Sequence, residues 1–212
     1  MNTHLILDFE TLGQDVFEIP ILDCSYVVFD WDRFTSDNPY TLEELVGLAQ
    51  KDKLEMAHQV RDHGARYTQR DLDWWLSQSE DAKKVLKPSP ADIRVEVFIN
   101  NFITYLSNAG KINYWWSRSN TFDPVILSRW AKLLGRRAEV EELLKFWLVR
   151  DTRTWIDAKL NFPKQNGFCP LADEEYWNKT FVKHDSRYDI AADILRLQTI
   201  ARLENDMEQP KR

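Results

Sequence analysis

The sequence predicts an α/β fold in which a mixed central β-sheet is flanked by helices. Two short apolar runs of strand character open the chain, at His4 to Phe9 (HLILDF) and Asp23 to Trp31 (DCSYVVFDW), and from Thr68 onward helical spacing alternates with further strand-like runs. Composition supplies a third observation. The 212 residues are 43% hydrophobic and 29% charged with only 6 glycines and 8 prolines, which excludes collagen-like, low-complexity and wholly disordered chains. No internal repeat and no low-complexity linker divides the chain, so one domain is expected over 1–212, closed by a polar tail at about 204–212.

Taken in order, His4 to Phe9 reads as a buried strand, and Asp23 to Trp31, following Pro20, reads as its neighbour. Leu42 to Lys53 and Lys53 to His58 are ambiguous between helix and strand and are assigned to the sheet edge. Thr68 caps a helix that carries Asp71 in its first turn and Leu72, Trp75 and Leu76 on its apolar face. Ser89, with Pro90 at the first helical position, opens the next helix, where Ile93, Val97, Phe98, Phe102 and Leu106 recur at helical spacing up to Gly110. Lys111 to Trp116 (KINYWW) reads as a central strand, with Trp115 and Trp116 facing opposite layers. Pro124 starts a helix through Val125, Leu127, Trp130 and Leu134 to Gly135, and Phe146 to Val149 reads as a strand. Tyr188 to Leu203 is predicted helical with Ile190, Ile194, Leu197 and Ile200 on one stripe, and the residues after it are expected to fray.

Charge narrows the functional classes. The 28 Lys and Arg against 34 Asp and Glu give a net charge of −6, which argues against coating nucleic acid through bulk positive charge. It leaves room for an acidic cluster that a divalent cation neutralises. Nine tryptophans serve cores, interfaces and base-stacking platforms alike. Cys24 and Cys169 allow one bridge at most, so a reduced, cytosolic setting is expected. Met1 to Glu10 has no signal-peptide pattern and no apolar run is long enough to span a bilayer, so neither secretion nor membrane insertion is expected.

Three acidic elements carry the candidate chemistry. Asp8 and Glu10, in DFET, lie two apart at the end of the first strand and so point to the same side. Converged carboxylates repel, and hard divalent cations such as Mg²⁺ or Mn²⁺ relieve that repulsion; a solvated strand end is the alternative. Asp123 precedes Pro124 at a helix start, where capping alone would account for it. In KHDSRYDIAAD, Asp189 faces inward one turn into the last helix while His184 stands on the preceding loop. A surface histidine and a first-turn acid helped by the helix dipole are the plainer readings of this pair.

As an ordered set, DFET near the start, FD before a middle helix and HDSRYD near the end resemble the DEDD superfamily of 3′-to-5′ exonucleases, in the branch where a histidine stands five residues before the last aspartate. Within it the chain is most similar to the exonuclease A proteins of T-even-type bacteriophages and their bacterial relatives, through WWLSQS at Trp74 to Ser79, FWLVRDTRT at Phe146 to Thr154 and the closing HDSRYDIAADI. The resemblance runs from about residue 4 to about residue 203. It departs at Ser186 or Arg187, where many relatives carry a small residue.

The resemblance implies a ribonuclease-H-like fold, with Asp8, Glu10, Asp123 and Asp189 as ligands of two Mg²⁺ ions, Mn²⁺ substituting, and His184 as general base. It also implies contact of Thr11 with the terminal nucleotide. Trp74, left over when Trp75 joins Leu72 and Leu76 in the core, is a candidate base platform, and Arg153 in RDTRT a candidate phosphate ligand. Lys183 and Arg187 flank the His184 loop and are candidates to guide the backbone, whereas His4, His58 and His63 show no partner pattern. The activity expected is release of mononucleotides from 3′ ends of single-stranded DNA, in the cytoplasm, the host's if the chain is phage-encoded. An RNA-trimming, oligoribonuclease-like enzyme is the enzymatic alternative, and a catalytically silent binding module the other. The relatives suggest a homodimer, with which the spare aromatics are compatible.

Overall fold

β1 (Thr3–Thr11) and β2 (Ile21–Asp30) pair antiparallel from Thr3 opposite Asp30 to Glu10 opposite Asp23, and a register shift follows between Glu10 and Thr11. The computed structural model describes residues 2–160, 166–169 and 180–208. After β2 come α1 (Leu42–Leu48), the edge strand β3 (Gln50–Lys53), α2 (Met56–His63) and α3 (Gln69–Leu76). The long α4 (Val95–Ala109), β4 (Tyr114–Ser117), α5 (Asp123–Leu133) and α6 (Arg137–Leu143) follow. β5 (Val149–Asp151), α7 (Thr152–Leu160) and α8 (Ser186–Glu208) complete the described chain.

The five strands lie in the order β3-β2-β1-β4-β5. β2 and β3 run antiparallel, whereas β4 is parallel to both β1 and β5, so the sheet is mixed as expected. Alternation along β1 divides the core. Leu5, Leu7 and Phe9 pack with Trp115 against α4 and α5, while Ile6 packs with Trp116 against Ile190, Ile194, Leu197 and Ile200 of α8. Each such buried side chain contributes about 1.5 to 3 kcal/mol relative to exposure. A one-residue slip of β1 would drive Asp8 into the α4 layer, so the core enforces the register that aims the acids at α8. Among the described residues no helix is long and apolar enough to cross a membrane.

Several local expectations are corrected. Leu42–Leu48 is helical, capped by the Thr41 side chain on Glu44 N–H; only Gln50–Lys53 forms the sheet edge, and helix resumes at Met56. Ser89 does not open a helix. Ile93 instead bridges to Leu54, its N–H bonded to Lys53 O, and α4 starts two residues later, which leaves Val97 on the exposed face. Phe146 and Trp147 are exposed in a 3-10 turn rather than in a strand, and β5 begins at Val149. Residues 204–208 continue α8, and the rest of the expected tail, 209–212, lies outside the described residues. Thr68 does cap α3, in a full capping box with Asp71. Cys24 and Cys169 are both buried and are not bridged to each other.

Candidate active site

The acidic site lies where β1 outruns its neighbour. The β1–β4 ladder ends at Ile6 opposite Trp116, so the next residues of β1 have no strand on that side. The Phe9 N–H donates instead to Asp123 Oδ1 at 3.1 Å, which draws the first residue of α5 against β1. Asp123 is thus held by β1 rather than acting as the residue that caps its own helix, a position taken by Phe122. Asp8 and Glu10 share the face toward α8, and each offers a ligand atom within 4.8 Å of one from Asp189.

Burial and mutual repulsion dominate the electrostatics. Burial pushes the Asp8 carboxyl well above its ordinary value, and Asp123, Glu10 and Asp189 push it further. Asp123 and Asp189 are raised to about 7, burial again being the main cause. Among the described residues no lysine or arginine forms an ion pair with Asp8, Glu10 or Asp189. This set of clustered hard oxygens with unbalanced charge fits divalent cations such as Mg²⁺ or Mn²⁺.

His184 stands on the loop before α8 in the left-handed region, with φ of 63°. Its Nδ1 is 3.7 Å from Glu10 Oε1, its Nε2 is buried without a hydrogen-bond partner, and its ring meets Trp74 and Trp75 edge to face, at centroid separations of 5.3 and 5.7 Å. The loop is fastened from below. Ser186 Oγ donates to the fully buried Asp23 and lies 2.7 Å from Ser25 Oγ, while Lys51 Nζ lies 3.0 Å from both Asp23 and Asp185. Arg187 pairs with Asp185. Lys183 is exposed.

A cleft of about 750 Å³ opens over the acids, and Trp74, Thr11, Arg118 and Arg153 line it. Trp75 is buried and donates its indole N–H to Thr11 O at 2.9 Å, whereas Trp74 is 49% exposed. The Thr11 hydroxyl donates to Gly13 O, and a Cβ on Gly13 would stand 2.9 Å from Ile19, so this turn admits no larger residue without a shift. The Arg153 Nε has no hydrogen-bond partner among the described residues. Gly167 packs so closely that an added Cβ would lie 2.7 Å from the Arg153 Cα. Of the rest of RDTRT, Arg150 lies over the Tyr114 ring and Asp151 accepts from Thr154 and Asn120 N–H groups, so neither pairs with the other. His4 is a buried structural residue, its Nδ1 accepting from the Trp116 indole.

Sequence reasoning missed two supports of this site. Asp193, one turn beyond Asp189 on α8, is buried and paired with Arg118 and Arg196 and accepts from Thr152. Its spacing of four from Asp189 is visible in the sequence and places both on one helix face. The Asp23, Lys51 and Asp185 group has no such signature, because its members come from two strands and a distant loop.

Two comparisons bear on this arrangement. The family model described as "3'-5' exoribonuclease Rv2179c-like domain" matches residues 3–190. A protein of Enterobacteria phage T4 named exodeoxyribonuclease is 33% identical over 216 residues, covering 96% of this chain and 91% of that protein.

Proposed function

Because the chain belongs to the 3′-5′ exoribonuclease Rv2179c-like family and is a 3′-to-5′ exonuclease, we propose that it removes mononucleotides from single-stranded DNA, with two bound Mg²⁺ ions and His184 as general base. The observation that carries this reading is the convergence of Asp8, Glu10 and Asp189 beneath an imidazole facing the Glu10 carboxylate. Asp8, Glu10 and Asp189 would hold one cation, and Asp8 with Asp123 would hold the other; Mn²⁺ suits the same oxygens. When bound, such a pair neutralises charge on the phosphoryl group and makes water a stronger acid.

His184 accepts a proton from the water whose oxygen attacks phosphorus. The bond from phosphorus to the 3′ oxygen of the penultimate nucleotide breaks, that oxygen takes a proton from solvent, to which His184 returns its own, and a nucleoside 5′-monophosphate leaves. The ring packs edge to face on Trp74 and Trp75, and its Nε2 has no hydrogen-bond partner, so it keeps a free lone pair for this task. Trp74 offers an exposed indole for the terminal base, Thr11 borders the terminal nucleotide, and Arg153 presents its guanidinium to the backbone phosphate.

DNA as substrate follows the phage exodeoxyribonuclease, which is similar over nearly the whole chain. The family description favours RNA, so the test runs both sugars side by side. Single-stranded DNA and RNA oligomers labelled at the 3′ end are incubated with Mg²⁺, Mn²⁺ or EDTA, using wild type and Asp8→Ala. Labelled mononucleotide released faster from DNA, only with metal and only by wild type, is expected. Activity surviving EDTA or Asp8→Ala would overturn the mechanism, and faster release from RNA would overturn the substrate.

A further inference from the structure

Away from the acidic cleft, α2 and the start of α4 bring together two histidines and a glutamate. His63 Nε2 lies 2.7 Å from Glu96 Oε1, and His58 Nδ1 lies 3.9 Å from Glu96 Oε2. One ligand atom from each of the three falls within 4.8 Å of the others. The His58 side chain is only 6% exposed. Its Nδ1 and the facing Glu96 Oε2 both lack a hydrogen-bond partner. His58 Nε2 is engaged on its other side, 3.3 Å from Asp62 Oδ2 one helical turn away.

That contact decides what the buried nitrogen presents. A carboxylate beside Nε2 favours a proton on that nitrogen, which turns the Nδ1 lone pair toward the Glu96 oxygen, two electron-rich atoms with nothing between them. A cation resolves this, and a carboxylate behind a ligating imidazole is the usual way to fix its tautomer and raise its basicity. Two imidazoles and one carboxylate form a donor set suited to Zn²⁺, which binds such ligands at roughly 2.0 to 2.2 Å and takes a water as fourth. The all-oxygen cleft suits Mg²⁺ instead.

We propose that His58, His63 and Glu96 bind one Zn²⁺ ion that ties α2 to the start of α4. The clip bears on the fold because Gln59, next to His58, bonds both the N–H and the carbonyl of Ile21 at 2.8 Å. Ile21 opens β2 opposite Thr11 at the register shift, so α2 is part of the support beneath the cleft.

The probe is Co²⁺, whose visible absorption is strong in a tetrahedral nitrogen and oxygen site and weak in an octahedral oxygen site. Full-length protein freed of metal by a chelator is titrated with Co²⁺, then with Zn²⁺. Wild type and Asp189→Asn are expected to develop a strong band at one equivalent that Zn²⁺ abolishes, and Zn²⁺ raises the Tm of both. His63→Gln and Glu96→Gln, changes at partly exposed positions, lose the band and the Tm shift. Asp62→Asn keeps the site but weakens Zn²⁺ by about 10- to 100-fold. No strong band in wild type, a band that survives His63→Gln or Glu96→Gln, or one lost in Asp189→Asn would each overturn the proposal, leaving a protonated His58 between Asp62 and Glu96 as the account of the geometry.

Discussion

His184 Nδ1 stands 3.7 Å from Glu10 Oε1, beyond a hydrogen bond yet close enough for the carboxylate to orient the ring. A carboxylate on that side of the ring favours a proton on Nδ1, which leaves the Nε2 lone pair for water. Replacing His184 by alanine is expected to lower kcat by about 10² to 10⁴-fold, the usual contribution of a positioned acid or base. Affinity for Mg²⁺ and for single strands should stay close to wild type, because the carboxylates remain. Calorimetric titration with Mg²⁺ checks this: affinity falling in step with kcat would assign the histidine to the metal rather than to the proton.

Without divalent cations the site carries a cost that depends on pH. Asp123 and Asp189 titrate at about 7 in the folded chain against 3.8 ordinarily, so the folded state holds extra protons between those values. Their stabilising contribution is therefore full below about 3.8 and is lost as pH rises through about 7. In EDTA, Asp189→Asn is expected to stabilise the protein at pH 8 by about 1 to 3 kcal/mol while abolishing hydrolysis. Urea unfolding at pH 5 and pH 8 measures it. A variant no more stable than wild type at the higher pH, in EDTA, would show that repulsion among these acids is not what burial leaves behind.

How much of this was legible depends on the range of the interaction. Asp8 and Glu10 were readable because a period of two is fixed by the strand itself, and the start of α3 because Thr68 and Asp71 form a local capping box. The start of α4 was not, since Ser89 and Pro90 satisfy every local rule for a helix start while Ile93 is captured by Leu54 and Lys53 from another element. Asp123 likewise looked like a cap. Its partner is the Phe9 N–H, orphaned only because the β1–β4 ladder stops early, which no window around Asp123 records. Glu96 lies too far along the chain from His58 and His63 for spacing to join them.

Asp23 supplies the third prediction. It is fully buried and its carboxyl is raised to about 6 by burial, which Lys51 and the Ser186 hydroxyl counteract. Lys51→Met removes the cation that joins Asp23 to Asp185, and the buried acid is left uncompensated. Loss of about 3 kcal/mol is expected, the lower end of the range for breaking a buried pair, because Lys51 is partly exposed. Because Asp185 adjoins His184, kcat should fall more than KM rises. The double variant with Asp23→Asn should recover part of the stability, and an equally unstable double variant would place the loss elsewhere than in the pair.

The adjacent tryptophans of α3 should separate cleanly. Trp75 is 1% exposed, packs with Leu12, Leu22 and Ala82, and satisfies the Thr11 carbonyl. Trp75→Ala is therefore expected to cost about 3 to 5 kcal/mol of stability, with a further cost from the orphaned carbonyl. Trp74 is 49% exposed and borders the cleft, and its contacts with Trp75 and His184 are edge to face. Its removal leaves no large cavity, so stability should change little. If its exposed face stacks on the terminal base, KM for single-stranded DNA should rise by roughly 5- to 150-fold, the equivalent of about 1 to 3 kcal/mol for one stacked base. Trp74→Phe, which keeps an aromatic face, should restore most of that affinity. Steady-state kinetics on a short oligomer, read beside a melting curve, distinguishes the roles: an unchanged KM in Trp74→Ala makes this indole a wall of the His184 pocket and no platform for a base.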